Sequence, residues 1–111
     1  MNLSFLEYQK QSKTTAIYPN VGNNVIYTVI GLAGETGEVA DKVKKVLRDK
    51  DGKFDTDAIE SIKMELGDVL WYIAQIASEL GLNMDDIATS NLNKLLARQI
   101  RNQLHGSGDK R

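Results

Sequence analysis

The chain has 111 residues, with 14 Lys+Arg against 15 Asp+Glu, one His, one Pro and no Cys. That length makes one compact domain, or half of a shared core. The net charge of −1 excludes a strongly basic nucleic-acid-binding module as the default. Without cysteine there is no disulfide framework, thiolate nucleophile or Cys-based zinc site, and one histidine near the C-terminus argues against a multi-His metal site or a Ser-His-Asp triad. Met1 to Tyr8 lacks the basic-then-apolar pattern of a signal peptide. No apolar run approaches the ~20 residues that span a bilayer. A soluble, cytoplasmic chain with no membrane or nucleic-acid partner is expected, its chemistry resting on carboxylates, Lys/Arg and bound ions.

In chain order, Leu3, Leu6, Tyr8 and Gln9 fit a short amphipathic helix ending near Thr14-Thr15. Pro19, Gly22 and Asn23-Asn24 punctuate the chain after it. A long helix is expected from about Asn24 to Lys50, with the stripe Leu32, Val39, Val43 and Val46. Asp49 to Lys53 is a polar turn with Gly52 at a helix-ending position. A second long helix should run from about Thr56 to Leu80, capped by Asp55 or Thr56 and stopped by Gly81. Its apolar positions, from Ile59 and Ile62 through Leu66, Val69 and Ile73 to Leu80, cover more than one face, which predicts burial on several sides. Asn83 caps a last helix that carries acid in its first turn and runs to about Leu104. No period-2 strand pattern of useful length occurs. The fold expected is all-α, a bundle of about four helices completed by oligomerisation. Residues 1–105 form the domain and residues 106–111 a flexible tail, or a lid with Lys110 and Arg111 as donors.

Two short patterns carry chemistry. In Glu35-Thr-Gly-Glu38 and Glu65-Leu-Gly-Asp68, two carboxylates sit three residues apart and so project from one side of a helix. The 26 residues between Glu38 and Glu65 allow the two helices to lie antiparallel, with all four acids at one level. Glu35 falls in the apolar stripe of its helix, and Glu65 and Asp68 lie in the most hydrophobic helix. Burying such groups unpaired costs several kcal/mol each. Divalent cations with oxygen ligands compensate well, and Mg²⁺ keeps waters and phosphate oxygens in its remaining positions. Gly31, Gly34, Gly37 and Gly67 interrupt these helices at about 1 kcal/mol each relative to Ala, which points to close approach of a helix or ligand. On the last helix Asn91, Lys94 and Arg98 form one stripe, with two cations suited to phosphate.

The segments Gly31-Leu-Ala-Gly-Glu-Thr-Gly-Glu-Val39, Glu65-Leu-Gly-Asp-Val-Leu-Trp-Tyr72 and Asn91-Leu-Asn-Lys-Leu-Leu-Ala-Arg98 resemble the MazG-like nucleoside triphosphate pyrophosphohydrolases of the all-α superfamily. Tyr8-Gln9, Thr15 to Pro19 and the C-terminal tail are similar to the short single-domain members of phages and bacteria. The resemblance implies a homodimer or dimer of dimers. It implies Mg²⁺-dependent cleavage, with Mn²⁺ as a substitute, of a nucleoside triphosphate to the monophosphate and pyrophosphate. Carried over by residue, Glu35, Glu38, Glu65 and Asp68 are the metal ligands, and Glu38 is the carboxylate expected to help deprotonate the attacking water. Lys94 and Arg98 hold phosphates, with Asn91 beside them. Some members carry an extra acid where this chain has Gly34, which leaves the ion count and the general base open. Gln9, Tyr18, Asn20 and Trp71 are candidates for a base pocket, and a deoxynucleotide such as dGTP is the substrate favoured by analogy. The alternatives are dUTP, dCTP or phosphoribosyl-ATP as substrate, or a non-enzymatic helical oligomerisation module. A di-iron bundle needs Glu-x-x-His in two helices, and here Asn102 stands three residues before the only histidine, His105.

Overall fold

A computed structural model describes residues 2–101. It contains four helices: α1 Phe5–Lys13, α2 Val25–Asp49, α3 Thr56–Glu79 and α4 Met84–Ile100. Among the described residues there is no strand. The expected tail, His105 and the end proposed for the last helix lie outside the described residues.

Each helix starts where a short polar side chain can take up a free N–H. Ser4, Asn24, Asp55 and Asn83 accept from the backbone N–H of Glu7, Tyr27, Ala58 and Asp85, respectively. α2 stops at a tight turn in which the N–H groups of Lys50 and Gly52 both reach the Val46 carbonyl, at 3.0 and 3.1 Å. Asp51 and Gly52 take φ values of 52° and 73° there, the left-handed geometry that ends many helices.

That turn folds α3 back along α2. Gly31 meets Tyr72, Glu35 faces Glu65 and Asp68, and Val46 shares a hollow with Ala58, so the pairing runs in opposite directions along the two helices. α1 lies across α3, and α4 packs on α1. A small core of Ala74, Ala77 and Met84, flanked by Tyr8, Leu70 and Ile73, holds this end together. Polar side chains reinforce it. Gln9, 6 % exposed, donates to the Leu82 carbonyl at 2.8 Å and to Ser78 Oγ at 3.1 Å, while its own Oε1 accepts from Met84 N–H at 2.8 Å. One buried glutamine thereby ties α1 to both α3 and α4. Gln75 does the same for α1 and α3 through Ser12 Oγ at 2.9 Å.

One chain alone leaves part of α3 uncovered, the surface for which burial against a second subunit is expected. Ile59, Met64, Leu66 and Leu80 are all exposed, as are Ile26, Val29 and Ile30 on α2. Four helices with so short an α1 enclose only one face of the long hairpin. Within one chain the close approach expected at the glycines is seen at Gly31. A Cβ there would lie 2.1 Å from Tyr72 Cε1, whereas Gly34, Gly37 and Gly67 face open space.

Candidate active site

The antiparallel register of α2 and α3 brings acids together from two stretches of sequence. Carboxylate oxygens of Glu35, Glu65 and Asp68 all lie within 4.8 Å of one another. Glu35 and Glu65 are half-buried and Asp68 is exposed, so the group opens to solvent on one side. Glu38, exposed and one turn along α2 from Glu35, stands outside this group of three. Burial pushes the Glu35 carboxyl above the usual range, and the charges of Asp68, Glu65 and Glu38, with a hydrogen bond to Glu65, push it the same way. Tyr8 is raised too, by its burial and by the Asp68 charge.

These donors suit a hard cation. All offer oxygen, and an ion with bonds of about 2.1 Å spans oxygens roughly 3–4 Å apart, within small side-chain rotations of the arrangement here. A bound cation would also remove the repulsion that raises Glu35.

A second feature adjoins the acids. Tyr18, Tyr27, Trp71 and Tyr72, with Thr15 and Pro19, line an open hollow of about 350 Å³. Tyr18 stacks on Tyr27 at 5.1 Å with 13° between the rings, and Trp71 meets Tyr72 edge-on at 5.0 Å. Trp71 is fixed by its indole N–H, which donates to Thr15 Oγ1 at 2.8 Å. Tyr72 joins the hollow to the acids: burial raises its pKa first, then Tyr27, Glu35 and Asp68 add to it. Its ring fits against α2 only because residue 31 is glycine.

Sequence comparison gives this arrangement a family context. A family model described as the MazG nucleotide pyrophosphohydrolase domain matches residues 26–101. The chain belongs to the MazG family. It is also 45 % identical over 109 residues to the Gene 37 protein of Mycobacterium phage L5, covering 94 % of this chain and 96 % of that one. This relative supports a short phage-type MazG protein. No solved structure matches the chain.

Other residues singled out from the sequence are placed as follows. Tyr18 and Trp71 line the aromatic hollow. Asn20 is exposed with φ 56° in the α1–α2 loop, and Gln9 is occupied in the α1–α3–α4 junction described above. Asn91 and Lys94 border a separate hollow of about 550 Å³ beside the Gly81–Asn83 turn, and none of the acid group lines it. Arg98 is 2 % exposed. Sequence reasoning did not single out Tyr27, Tyr72 or Glu79 as site residues. For Tyr72 a signal was present: an aromatic seven residues beyond Glu65 shares its helical face, opposite a glycine-bearing helix.

Proposed function

We propose that this MazG protein hydrolyses a deoxynucleoside triphosphate, such as dGTP, to the monophosphate and pyrophosphate. The observation that supports this best is the convergence of Glu35, Glu65 and Asp68 between α2 and α3 of a MazG domain. In this reading the three carboxylates hold Mg²⁺, or Mn²⁺ in its place, with Glu38 completing the set from its exposed position. When bound, the ion supplies Lewis-acid stabilisation of the charge that develops on the phosphates. The residues of the chain supply the rest. Glu38, exposed on α2, accepts the proton of the attacking water, and Glu35, Glu65 and Asp68 would hold the ion that draws in the α-phosphate for in-line displacement. Tyr18, Tyr27, Trp71 and Tyr72 stack the base, and that much aromatic surface favours a purine over uracil or cytosine.

The exposed apolar side chains of α2, α3 and α4, among them Ile26 at 70 %, Ile30 at 66 % and Met64 at 63 %, support assembly with further copies of the chain as a dimer or dimer of dimers. In that assembly Lys94 and Asn91 hold phosphates. Arg98 contributes its charge from a buried position. Among the described residues no helix is long and apolar enough to cross a membrane. With a phage protein as relative, the free nucleotide pool of the host cytoplasm is the place of action that fits.

The test is pyrophosphate release from the four dNTPs, the four NTPs and phosphoribosyl-ATP with Mg²⁺, repeated with Mn²⁺ and with chelator. Stoichiometric monophosphate and pyrophosphate from a dNTP, abolished by chelation, is the expected outcome. Release of orthophosphate instead, or no turnover of any compound, would overturn the reading.

A further inference from the structure

The α1–α2 loop, residues 14–24, carries one wall of the aromatic hollow, and its one well-buried apolar anchor is the Tyr18 ring. Ile17 is 93 % exposed and Val21 40 % exposed. Trp71 ties the loop's first residues through Thr15 Oγ1, and its second half is held by one side chain 55 to 61 residues away, Glu79 at the end of α3. Its Oε2 accepts from Tyr18 Oη at 3.0 Å and from the Gly22 N–H, and its Oε1 accepts from the Asn24 N–H. Three donors spread over seven residues of loop thus converge on one carboxylate.

The position is unusual for an acid. Glu79 is the last residue of α3, where the helix dipole disfavours negative charge, and the last turn of α3 holds no basic residue to offset it. The same carboxylate stands at the start of α2, whose first turn contains no acid. Glu79 therefore serves the loop and the start of α2 more than its own helix. Through Tyr18 it also fixes the ring that stacks on Tyr27 and meets Trp71 edge-on at 6.4 Å.

We propose that Glu79 is a positioning residue for substrate: by holding Tyr18, Gly22 and Asn24 on one carboxylate it sets the wall of the aromatic hollow against which the nucleotide base stacks. This rests on the reading of that hollow as the base site. Glu79 touches no reacting group, so its loss weakens binding of the base and leaves the phosphate chemistry intact.

The full-length variants Glu79→Gln, Tyr18→Phe and Tyr27→Leu test this with each of the four dNTPs and Mg²⁺. An amide keeps the size of Glu79 but turns an acceptor into a donor facing a backbone N–H. Glu79→Gln should raise KM about tenfold while kcat stays within about twofold. Emission of Trp71, the only tryptophan, should shift to the red as Tyr18 leaves its edge. Tyr18→Phe removes one of the three bonds and keeps the ring, so a KM rise of about threefold is expected. An unchanged KM in Glu79→Gln, or a loss confined to kcat, overturns the proposal. Should Glu79→Gln fail to fold, Tyr18→Phe decides, and an unchanged KM there is equally fatal. Tyr27→Leu separates the two ideas: if it leaves KM untouched, the hollow is not the base site and both fall. If it raises KM while Glu79→Gln does not, the base site stands and Glu79 has no part in it.

Discussion

Two carboxylate sites on the α2–α3 hairpin are handled in opposite ways. Glu79 has burial working to raise its pKa, but N–H donors from Asn24 and Gly22 and the Tyr18 hydroxyl outweigh that and hold it below the usual range. Glu35, on α2 opposite Glu65 and Asp68, has burial and three neighbouring acids all raising it, with nothing acting the other way. A carboxylate satisfied by fixed donors is part of the architecture. Carboxylates crowded onto one another represent stored electrostatic cost, and a fold keeps that where a cation or a reaction relieves it. The acids at the far end of the hairpin fall in the first class. Asp41 pairs with Lys44 and Lys45 at 3.2 and 2.9 Å, and Asp55 with Lys50 at 3.0 Å.

The largest effect should come from breaking the crowded site. Glu65→Gln and Asp68→Asn should each lower kcat by two orders of magnitude or more if the group holds the catalytic ion. Glu35→Gln should do the same and at the same time raise the melting temperature by about 2 °C, because it removes like-charge repulsion. Steady-state kinetics beside thermal denaturation check both. A variant that loses activity only as it loses stability would place Glu35 with the architectural acids and erase the contrast. Glu38→Gln sharpens it further. An equal loss there would show that the exposed acid is as necessary as the converging three.

The joint between the two regions is the contact of Tyr72 with Gly31. Gly31→Ala puts a methyl carbon 2.1 Å from the Tyr72 ring, and overpacking of this kind costs about 1–3 kcal/mol. Gly34→Ala, one turn on and facing open space, should instead gain up to about 1 kcal/mol of helix stability in the isolated chain. Urea unfolding of the two variants measures the difference. If Gly34→Ala is destabilising as well, a second copy of the chain packs against that stretch of α2.

Much of this was legible in the sequence, and what was not has a physical cause. The caps Asn24, Asp55 and Asn83 and the stops at Gly52 and Gly81 are local signals, so α2 and α3 end within a residue of where the spacing puts them. Glu35 in an apolar stripe announced itself, because a charge breaks a pattern that neighbouring turns define. The meeting of Glu35 with Glu65 and Asp68 followed from the length of the turn between two long helices. Gln9 was misleading: a polar residue on a short helix looks like a pocket residue until its three hydrogen bonds are seen. Glu79 gave no sign at all. One acid near a helix end is common, and its partners lie 55 to 61 residues away. The burial expected for α3 is met only in part within one chain, because hydrophobicity says that a face must be covered and not which chain covers it.

Acidity distinguishes the two sites by sign. Glu79 is depressed in the folded state, so its contribution to stability is present above the unfolded value near 4.5 and is lost as pH falls through the folded value. Glu35 is raised, so between 4.5 and its folded value the folded chain binds the extra proton and stability falls as pH rises. Unfolding free energies measured from pH 3.5 to 7 should therefore show a shallower acid limb in Glu79→Gln and a flatter neutral limb in Glu35→Gln. Identical profiles for the two variants would mean the sites do not differ in kind.

The smallest expected effect isolates one bond of the satisfied site. Burial, helped by the hydrogen bond to Glu79 and by its charge, raises Tyr18 to about 12. In alkaline absorbance titrations Tyr18 should stay protonated well above pH 10, the usual value for an exposed phenol. Tyr18→Phe should thus remove a late-titrating chromophore. Glu79→Gln should move that same chromophore back toward 10, since the charge opposing phenolate formation is gone. Tyr8, raised by its burial and by the Asp68 charge, provides an internal control: Glu79→Gln leaves both untouched, so Tyr18 should shift and Tyr8 should not. If Tyr8 moves as well, the loop and the α2–α3 hairpin unfold together, and the division between a fixed frame and a strained site would be one of degree.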